Sequence, residues 1–258
     1  MNFANIENRL ATRWLGRNLV RKDDVGSTND IAAELARAGA LHGTVVLAES
    51  QTRGRGRQQR PWVSPPSVNL YLSVVLRLDI PPSAAPALTL ALGVAVCDTA
   101  RKAGVDAQLK WPNDVLAPSG KKLAGILAEL RCVGERIEHV IAGIGLNVNL
   151  VELPEEISTI ATSLRLETGR EQDRERVLCD LLSALEEWID RFVVGGAPAV
   201  ARAWRARAGM LGRRVSLTVG GEPLAGWARD VDDDGALLLD CDDGRRLRVL
   251  AGEVGVTY

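Results

Sequence analysis

The stretch from Gln51 to Trp62 reads Gln51-Thr52-Arg53-Gly54-Arg55-Gly56-Arg57-Gln58-Gln59-Arg60-Pro61-Trp62. It has four arginines, two glycines alternating with them and no acidic residue. Guanidinium groups stay charged and are costly to bury without a partner, so the stretch is predicted to be a surface loop. Glycine allows close backbone approach, and arginine donates paired hydrogen bonds to phosphate or carboxylate. The loop has the composition of an anion clamp, and an exposed arm for nucleic acid is the alternative.

The charge balance of the whole chain bears on that alternative. The 258 residues include 32 Lys and Arg against 33 Asp and Glu, a formal net charge of -1. A protein whose main partner is nucleic acid usually carries a basic excess. No Gly-Lys-Ser/Thr closes the loop, so it is not a Walker A motif. The composition therefore favours a small anionic ligand and predicts no DNA partner.

Cysteine usage and hydropathy indicate the compartment. Cys97, Cys132, Cys179 and Cys241 are scattered and lack the spacing of metal ligands, so we expect reduced, mostly buried thiols. We expect no apolar run of membrane-spanning length, and the N-terminus lacks the apolar core of a signal peptide. We expect a cytoplasmic protein with no membrane partner.

The apolar pattern predicts an α+β fold. Helices are predicted over 31–38, 83–103, 171–192 and 198–208, and strands over 44–49, 69–78, 108–111, 123–131 and 137–147. Because several of these strands are linked by short turns, we expect a mixed or largely antiparallel sheet with flanking helices. Residues 1–20 read as a polar, mixed segment that is too short for an independent domain.

Short, closely spaced strands follow from Leu211 onward. They are predicted over 214–219, 224–230, 236–240 and 245–250, with Gly- and Asp-rich turns between them. This spacing is typical of a small β-barrel of roughly 50 residues. The predicted domains are therefore 1–208 and 209–258.

Ser27-Thr28-Asn29-Asp30 precedes the first predicted helix. Ser27 and Asp30 have capping-box spacing, and Gly39 is expected to end the helix. Hydroxyl groups at a helix N-terminus also offer donors to a polar ligand. The segment is thus both a helix start and a candidate binding element.

Lys110-Trp111-Pro112-Asn113-Asp114 lies where a predicted strand ends in a turn. Lys110 has the charge to hold a phosphate or carboxylate, and Asn113 and Asp114 are suited to polar or metal-associated groups. The alternative is an ordinary proline turn with an exposed lysine.

In their order along the chain, these motifs resemble those of the biotin–protein ligases, that is, biotin–[acetyl-CoA-carboxylase] ligases. The resemblance runs from about residue 20 to the C-terminus. The matching residues are Ser27-Thr28-Asn29, Gln51, Gly54-Arg55-Gly56-Arg57 with Arg60 and Trp62, Lys110-Trp111-Pro112-Asn113-Asp114, Lys122-Leu123-Ala124-Gly125 and Gly143 to Asn147.

The resemblance implies a catalytic domain like that of class II aminoacyl-tRNA synthetases, followed by an SH3-like β-barrel. It implies that biotin attacks ATP, with Mg²⁺, to give biotinyl-5′-AMP. A lysine of the biotin carboxyl carrier domain of an acyl-CoA carboxylase then takes the biotinyl group. Larger members add an N-terminal helix-turn-helix and repress transcription; 26 residues precede Ser27, so we expect a ligase without that domain. Whether the chain forms a homodimer is left open.

The resemblance also implies roles for individual residues. Arg55, Arg57 and Lys110 would be catalytic, and Asp114 is a candidate base for the acceptor lysine. Biotin would be bound by Ser27, Thr28, Asn29, Gln51, Arg55, Gly56, Arg57, Lys110 and Gly125. ATP would be bound by Arg57, Arg60, Trp62, Lys110, Asn113 and Asn147. The strands around Gly125 and Gly143 would line the slot for the valeryl chain. For Trp62 and Trp111, the alternative to a ligand-binding role is a structural one. No residue is assigned as a metal ligand.

Two residues depart from the family pattern. Arg53 stands where a small residue is usual, and Gln59 stands where glycine is usual. Water hydrolyses a mixed anhydride, so the loop is expected to be mobile when empty and ordered over ligand. Gln59 restricts the loop backbone and puts retention of the intermediate in doubt.

Three other functions are weighed against this one. The polar Ser-Thr-Asn segment argues against a lipoate–protein ligase, since lipoate has no ureido group for it to bind. The near-zero net charge and the 4% aromatic content argue against a nucleic-acid-binding protein. A non-catalytic biotin sensor would bind biotin without forming the adenylate.

Overall fold

The computed structural model describes residues 6–219, 222–250 and 252–256. Within these residues, a seven-stranded sheet precedes a five-stranded one. The strands of the first sheet are β1 (Leu19–Val25), β2 (Val45–Gln51), β3 (Leu70–Leu76), β4 (Gln108–Lys110), β5 (Asp114–Leu116), β6 (Lys122–Val133) and β7 (Arg136–Leu146). Their order is β1-β2-β3-β7-β6-β5-β4, with β1 and β2 parallel and the other neighbours antiparallel. The predicted mixed sheet of an α+β fold is confirmed.

Helices cover both faces of this sheet. They are α1 (Ile6–Arg9), α2 (Thr28–Arg37), α3 (Ala85–Lys102), α4 (Glu155–Ser158), α5 (Leu164–Thr168) and α6 (Arg174–Arg205). On one face, α3 and α6 pack together and enclose the main core. On the other, Ala32 and Ala36 of α2 cover Val46, Val75 and Ile141. The start of α2 is thereby fixed against the middle of the sheet.

Strand β3 shows why the sheet is so well buried. All seven of its residues are buried, although the sequence alternation identified only one apolar face. Leu70 and Leu72 lie in the main core, whereas Val75 packs under α2. A strand with helices on both faces has no solvent side, so the second face is buried as well.

The long C-terminal helix joins two predicted elements. The helices predicted over 171–192 and 198–208 are two parts of α6, which is interrupted at Gly196 with φ 67°. Glycine reaches this left-handed conformation without a Cβ clash. Asp173 caps the helix by accepting hydrogen bonds from the backbone of Glu175 and Arg176.

One helix among the described residues, Pro82–Lys102, is long and apolar enough by length and composition to cross a membrane. The expectation that no apolar run approaches this length is therefore wrong. Within the fold, 67% of that apolar window is buried, because α3 lies at the centre of the main core. The helix is apolar on most sides because protein surrounds it.

The second sheet forms a small antiparallel, SH3-like unit. Its strands are β8 (Arg214–Val219), β9 (Glu222–Val231), β10 (Leu237–Cys241), β11 (Arg246–Val249) and β12 (Glu253–Val256), in the order β11-β10-β9-β8-β12. Trp111, only 1% exposed, donates through Nε1 to the Gly235 carbonyl at 3.0 Å. The turn after β4 is thus anchored to the second sheet, which fixes the two parts of the fold relative to each other.

The structure contains elements that the sequence patterns did not reveal. β1 was not predicted, because its charged sequence Leu-Val-Arg-Lys-Asp-Asp-Val suits an exposed edge and lacks apolar alternation. β5 begins at Asp114, inside the predicted turn, and is only three residues long. β12 and α4 have four residues each, and α5 has five. Elements of this length carry little periodic signal.

Candidate active site

A cavity of about 650 Å³ opens beside the arginine loop. Its walls come from the start of α2, the loop after β2, the β4–β5 turn, strands β6 and β7, the segment 150–161 and the second sheet. Every residue assigned a catalytic or binding role from the resemblance lines it: Ser27, Thr28, Asn29, Gln51, Arg55, Gly56, Arg57, Arg60, Trp62, Lys110, Asn113, Asp114, Gly125 and Asn147. The fold therefore brings together motifs that lie far apart in sequence.

One end of the cavity carries neutral polar groups. The Gln51 side-chain carbonyl accepts from the Thr28 backbone N–H at 2.9 Å and from the Thr28 hydroxyl at 3.1 Å. Ser73 Oγ lies 2.8 Å from Thr28 Oγ1 and donates to Asn29 Oδ1 at 2.6 Å. Ser27 is the N-cap residue of α2 but makes no side-chain capping hydrogen bond, so the predicted capping box is wrong. These groups form an uncharged patch of donors and acceptors.

Arg55 is held by two carboxylates at the border of this patch. Its Nη2 lies 2.7 Å from Asp30 Oδ1 and 3.3 Å from Glu129 Oε2. The hydrogen bond to Asp30 raises the pKa of Arg55 above its ordinary value, so the group is a fixed cation. Glu129 also accepts from Asn29 at 2.6 Å, which ties the cation to the neutral patch.

Arg57 connects the loop to the second sheet. Its Nη1 donates to the Gly252 carbonyl at 3.0 Å and lies 3.5 Å from Asn113 Oδ1. Burial lowers the pKa of Arg57 from its ordinary value. Asn113 is itself fixed, because its amide donates to the Ile126 carbonyl at 2.7 Å. The guanidinium is thus held at the cavity wall, where it can meet an anion.

Two lysines share one carboxylate in the β4–β5 turn. Asp114 Oδ2 lies 3.2 Å from Lys110 Nζ, and Asp114 Oδ1 lies 2.6 Å from Lys122 Nζ. Lys122 also lies over the Trp62 ring, 5.3 Å from its centroid. The sequence reasoning quoted Lys122 only as part of a motif and gave it no role; its place before the Gly125 strand was the available signal.

The glycines of the strand motifs make room for side chains of the site. A Cβ on Gly145 would lie 2.5 Å from Cε2 and Nε1 of Trp62, and one on Gly143 would lie 2.2 Å from Asn29 Oδ1. Trp62 therefore occupies a slot that only glycine leaves open. Its Nε1 is buried, and the described structure offers it no hydrogen-bond partner. Buried donors are normally paired, so this N–H is available to a ligand.

Both ends of the Asn147 side chain are already hydrogen-bonded within the protein. Its amide donates to the Thr162 carbonyl at 2.9 Å, and its carbonyl accepts from Asn69 at 3.2 Å. These bonds fix the segment 159–163 against the cavity. Asn147 thus lies in the cavity wall and links that wall to Asn69 and Thr162.

Apolar side chains complete the cavity near that segment. Leu116, Ile126, Leu150, Ile157 and Ile160 line it, and Ile160 is 61% exposed. Sequence analysis missed this wall, because α4 and the loop around it carry no periodic pattern. An exposed isoleucine beside a cavity gains burial when a ligand covers it.

The carboxylates near the cavity do not form a protein-only metal site. Among the described residues, no group of three or more His, Cys, Asp or Glu is arranged to hold a metal ion. Asp30 and Glu129 neutralise Arg55, and Asp114 bridges two lysines. Mg²⁺ keeps several waters and is usually held by one or two carboxylates with substrate phosphates, so it fits here only together with a nucleotide.

Comparison with known proteins gives a consistent result. A family described as "Biotin/lipoate A/B protein ligase family" matches residues 24–147, and "Biotin protein ligase C terminal domain" matches residues 210–255. The biotin–[acetyl-CoA-carboxylase] ligase of Mycobacterium tuberculosis is 42% identical over 237 residues, covering 89% of this chain and 85% of the relative. The bifunctional ligase/repressor BirA of Bacillus subtilis is 37% identical, covering 95% and 76%.

Solved structures agree with these sequence matches. Biotin protein ligase from Aquifex aeolicus in complex with biotin and ATP has a TM-score of 0.79 and 31% identity, covering 93% of this chain and 99% of that one. The Leishmania major biotin protein ligase in complex with biotinyl-5-AMP, at 23% identity and a TM-score of 0.61, shares the fold.

Proposed function

This chain belongs to the biotin protein ligase family, and on that premise we propose that it activates biotin with ATP to biotinyl-5′-AMP. It then transfers the biotinyl group to a lysine of the biotin carboxyl carrier domain of an acyl-CoA carboxylase. The observation that carries the proposal is the cavity itself. It places a neutral polar patch beside fixed cations, in a space of about 650 Å³.

The neutral patch suits the ureido ring of biotin. That ring is uncharged and carries both donors and acceptors, which match Thr28, Asn29 and Gln51. Hydrogen bonds among these residues hold them in place before the ligand arrives. Preorganised polar groups favour a ligand that can pair with all of them over one that leaves them unpaired. Lipoate has no ureido group and would leave them unpaired.

The cations make the first step possible. The carboxylate of biotin must approach the α-phosphate of ATP, and two anions repel each other unless positive charge lies between them. Arg55, Arg57 and Lys110 line the cavity between the polar patch and the second sheet, and Lys122 lies beside them. They lower the repulsion and stabilise the charge that develops on the leaving pyrophosphate.

The nucleotide is assigned to the side of the cavity nearest the second sheet. Arg57, Arg60 and Asn113 provide charged and polar contacts, and the unpaired Nε1 of Trp62 supplies a donor. Asn147 acts by holding the neighbouring wall. Mg²⁺ enters with ATP, and when bound it neutralises phosphate charge.

The second step needs an amine and a group that accepts its proton. Asp114 stays the candidate because it lies 14% exposed at the cavity between Lys110 and Lys122. One of these two contacts must open before the acceptor lysine reaches the carboxylate. Removal of Asp114 would also release both lysines, so its loss affects both steps.

The remaining parts of the proposal concern organisation and partners. We assign residues 1–208 to catalysis and residues 209–258 to the barrel, which meets the site through Gly252 and Val254. The protein acts in the cytoplasm, and neither DNA nor a membrane is among its partners. The proposal is compatible with a homodimer. A gel shift that strengthens at low salt would contradict the absence of DNA binding.

Transfer to a carrier domain tests the whole proposal. The purified chain is incubated with biotin, ATP, Mg²⁺ and a biotin carboxyl carrier domain, and intact-mass spectrometry counts the biotinyl groups. One group is expected on the native carrier and none on a carrier whose target lysine is replaced by arginine. Equal labelling of both carriers, or no labelling, would contradict the proposal.

A further inference from the structure

A row of four side-chain oxygens runs through the neutral patch. It begins at Asn29 Oδ1, continues through the hydroxyls of Ser73 and Thr28, and ends at Gln51 Oε1. The successive distances are 2.6, 2.8 and 3.1 Å. Ser73 lies in the middle of β3 and is fully buried, whereas the other three residues line the cavity. Ser73 can therefore act on a ligand only through its neighbours in the row.

Both ends of the row are acceptors, because the partners of each amide fix its orientation. Asn29 Nδ2 donates to Glu129 Oε2 at 2.6 Å, so the Asn29 oxygen faces Ser73. A turned amide would place that oxygen against the Glu129 carboxylate, which has no proton to share. At the other end, the Gln51 oxygen accepts from the Thr28 backbone N–H at 2.9 Å.

The row has three contacts but only two hydroxyl protons. Each hydroxyl donates once, and a side-chain carbonyl donates nothing. When Thr28 donates to Gln51, Ser73 has one proton for two acceptors, Thr28 and Asn29. When Thr28 donates to Ser73, the contact with Gln51 has no proton. That contact is the longest of the three and borders the cavity, so a ligand can supply the missing donor there.

We propose that Ser73 and Glu129 are specificity-determining positioning residues, which keep the row one proton short and thereby select a ligand ring that carries an N–H group. The inference rests on the proposed function and deepens it. Each ureido nitrogen of biotin carries one hydrogen, so the ring of biotin fills the row. A ring with oxygen in that place adds an acceptor and leaves the contact between Thr28 and Gln51 unfilled.

The test compares biotin with two cyclic carbamate analogues, in which oxygen replaces one or the other ureido N–H. Ring size, ring carbonyl and valeryl chain are unchanged. Dissociation constants are measured by calorimetry without ATP. The wild type should bind biotin roughly 5- to 150-fold more tightly than the analogue whose oxygen meets Thr28 and Gln51, the usual cost of an unsatisfied buried group.

Two variants end the proton shortage by different routes. Ser73→Ala removes a hydroxyl, so the Thr28 proton is free for Gln51. Glu129→Gln lets the Asn29 amide turn, because the new amide can donate to the Asn29 oxygen; Asn29 Nδ2 then donates to Ser73 and fills the row. The Glu129 side chain is 40% exposed, so this change does not disturb the core.

Both variants should lower the preference for biotin over that analogue roughly five-fold, the worth of one net hydrogen bond. A general loss of packing would weaken both ligands alike and leave their ratio unchanged. The ratio therefore reports the direction of the protons and not the stability of the fold.

Asp30→Asn is the matched control for charge. Asp30 and Glu129 both pair with Arg55, at 2.7 and 3.3 Å, but the Asn29 amide donates to Glu129. Asp30→Asn thus removes one carboxylate from Arg55 and leaves Glu129 in place to orient Asn29. It should keep the wild-type preference for biotin over the analogue.

The outcomes separate this inference from the proposed function. The same preference in the wild type, Ser73→Ala and Glu129→Gln would overturn the inference, and biotin-dependent ATP–pyrophosphate exchange by the wild type would leave the proposed function intact. An equal loss of preference in Asp30→Asn would also overturn the inference, because the charge around Arg55 would then be the cause. Absence of biotin binding by the wild type would overturn both.

Discussion

Substitution of Gly145 by alanine tests how the loop docks. The new Cβ would lie 2.5 Å from Cε2 and Nε1 of Trp62, whereas carbon contacts normally lie about 3.5–4.0 Å apart. The indole must therefore move by about 1 Å or leave the slot. Overpacking of this kind costs about 1–3 kcal/mol, which lowers the docked population roughly 5- to 150-fold.

Because the Trp62 N–H donates to the Gly54 carbonyl at 2.9 Å, next to Arg55, displacement of Trp62 also disturbs the cations. We expect Gly145→Ala to raise the KM for ATP and to lower biotin-dependent exchange within that range. The assay is ATP–pyrophosphate exchange at varied ATP and biotin concentrations. Gly93→Ala is the control, since its Cβ would meet Leu109 at an ordinary 3.5 Å. It should retain full exchange.

A double-mutant cycle identifies the cause. In a Trp62→Ala background the slot is empty, so adding Gly145→Ala should change exchange little. An equal loss in both backgrounds would show that the alanine acts through the strand and not through Trp62. Wild-type kinetics for Gly145→Ala would refute the idea that the slot matters.

Four further expectations follow from the same contacts. Arg55→Ala or Lys110→Ala should lower exchange about 10²–10³-fold, the usual loss for one preorganised donor; wild-type rates would remove that residue from the mechanism. Gln51→Leu leaves buried donors unpaired and should weaken biotin binding by about 1–3 kcal/mol in calorimetry, with little effect on ATP. Trp111→Phe loses the bond to the second sheet and should lower the free energy of unfolding by about 1–3 kcal/mol in urea; an unchanged midpoint would contradict that role. Burial raises the pKa of Glu186 in α6, but hydrogen bonds from the backbone N–H groups of Arg13, Trp14 and Leu15 outweigh burial and hold that pKa below its usual value. Its stabilisation should thus be present at neutral pH and be lost as pH falls below the ordinary carboxyl range, a trend absent in Glu186→Gln.

The long periodic segments were predictable from the sequence. α3 and β3 have apolar patterns that reflect their burial, and the hairpin of β6 and β7 followed from strands around a short glycine turn. β1 was missed because an edge strand tolerates charges such as Arg21 and Asp23, which removes the alternation. Three- and four-residue elements such as β5 and β12 form because neighbouring strands pair with them.

The predicted site residues line one cavity, but the contacts that position several of them come only from the fold. The resemblance selected Asn147 as a ligand residue, yet its side chain is engaged with Asn69 and Thr162. Gly143 and Gly145 give space to Asn29 and Trp62, which no strand pattern can indicate.

Partners of the cations were also absent from the sequence reasoning. Glu129 reaches Arg55 across 74 positions of the chain, and the fold alone creates that proximity. The Gly252 carbonyl meets Arg57 across 195 positions. Such pairs depend on tertiary packing and carry no local signal.

Biotin-dependent ATP–pyrophosphate exchange, with lipoate as the parallel substrate, tests the central claim most directly. The neutral patch of Thr28 and Gln51 beside Arg55 predicts exchange with biotin and none with lipoate. Exchange with lipoate alone, or no exchange by a protein that binds biotin in calorimetry, would contradict the account.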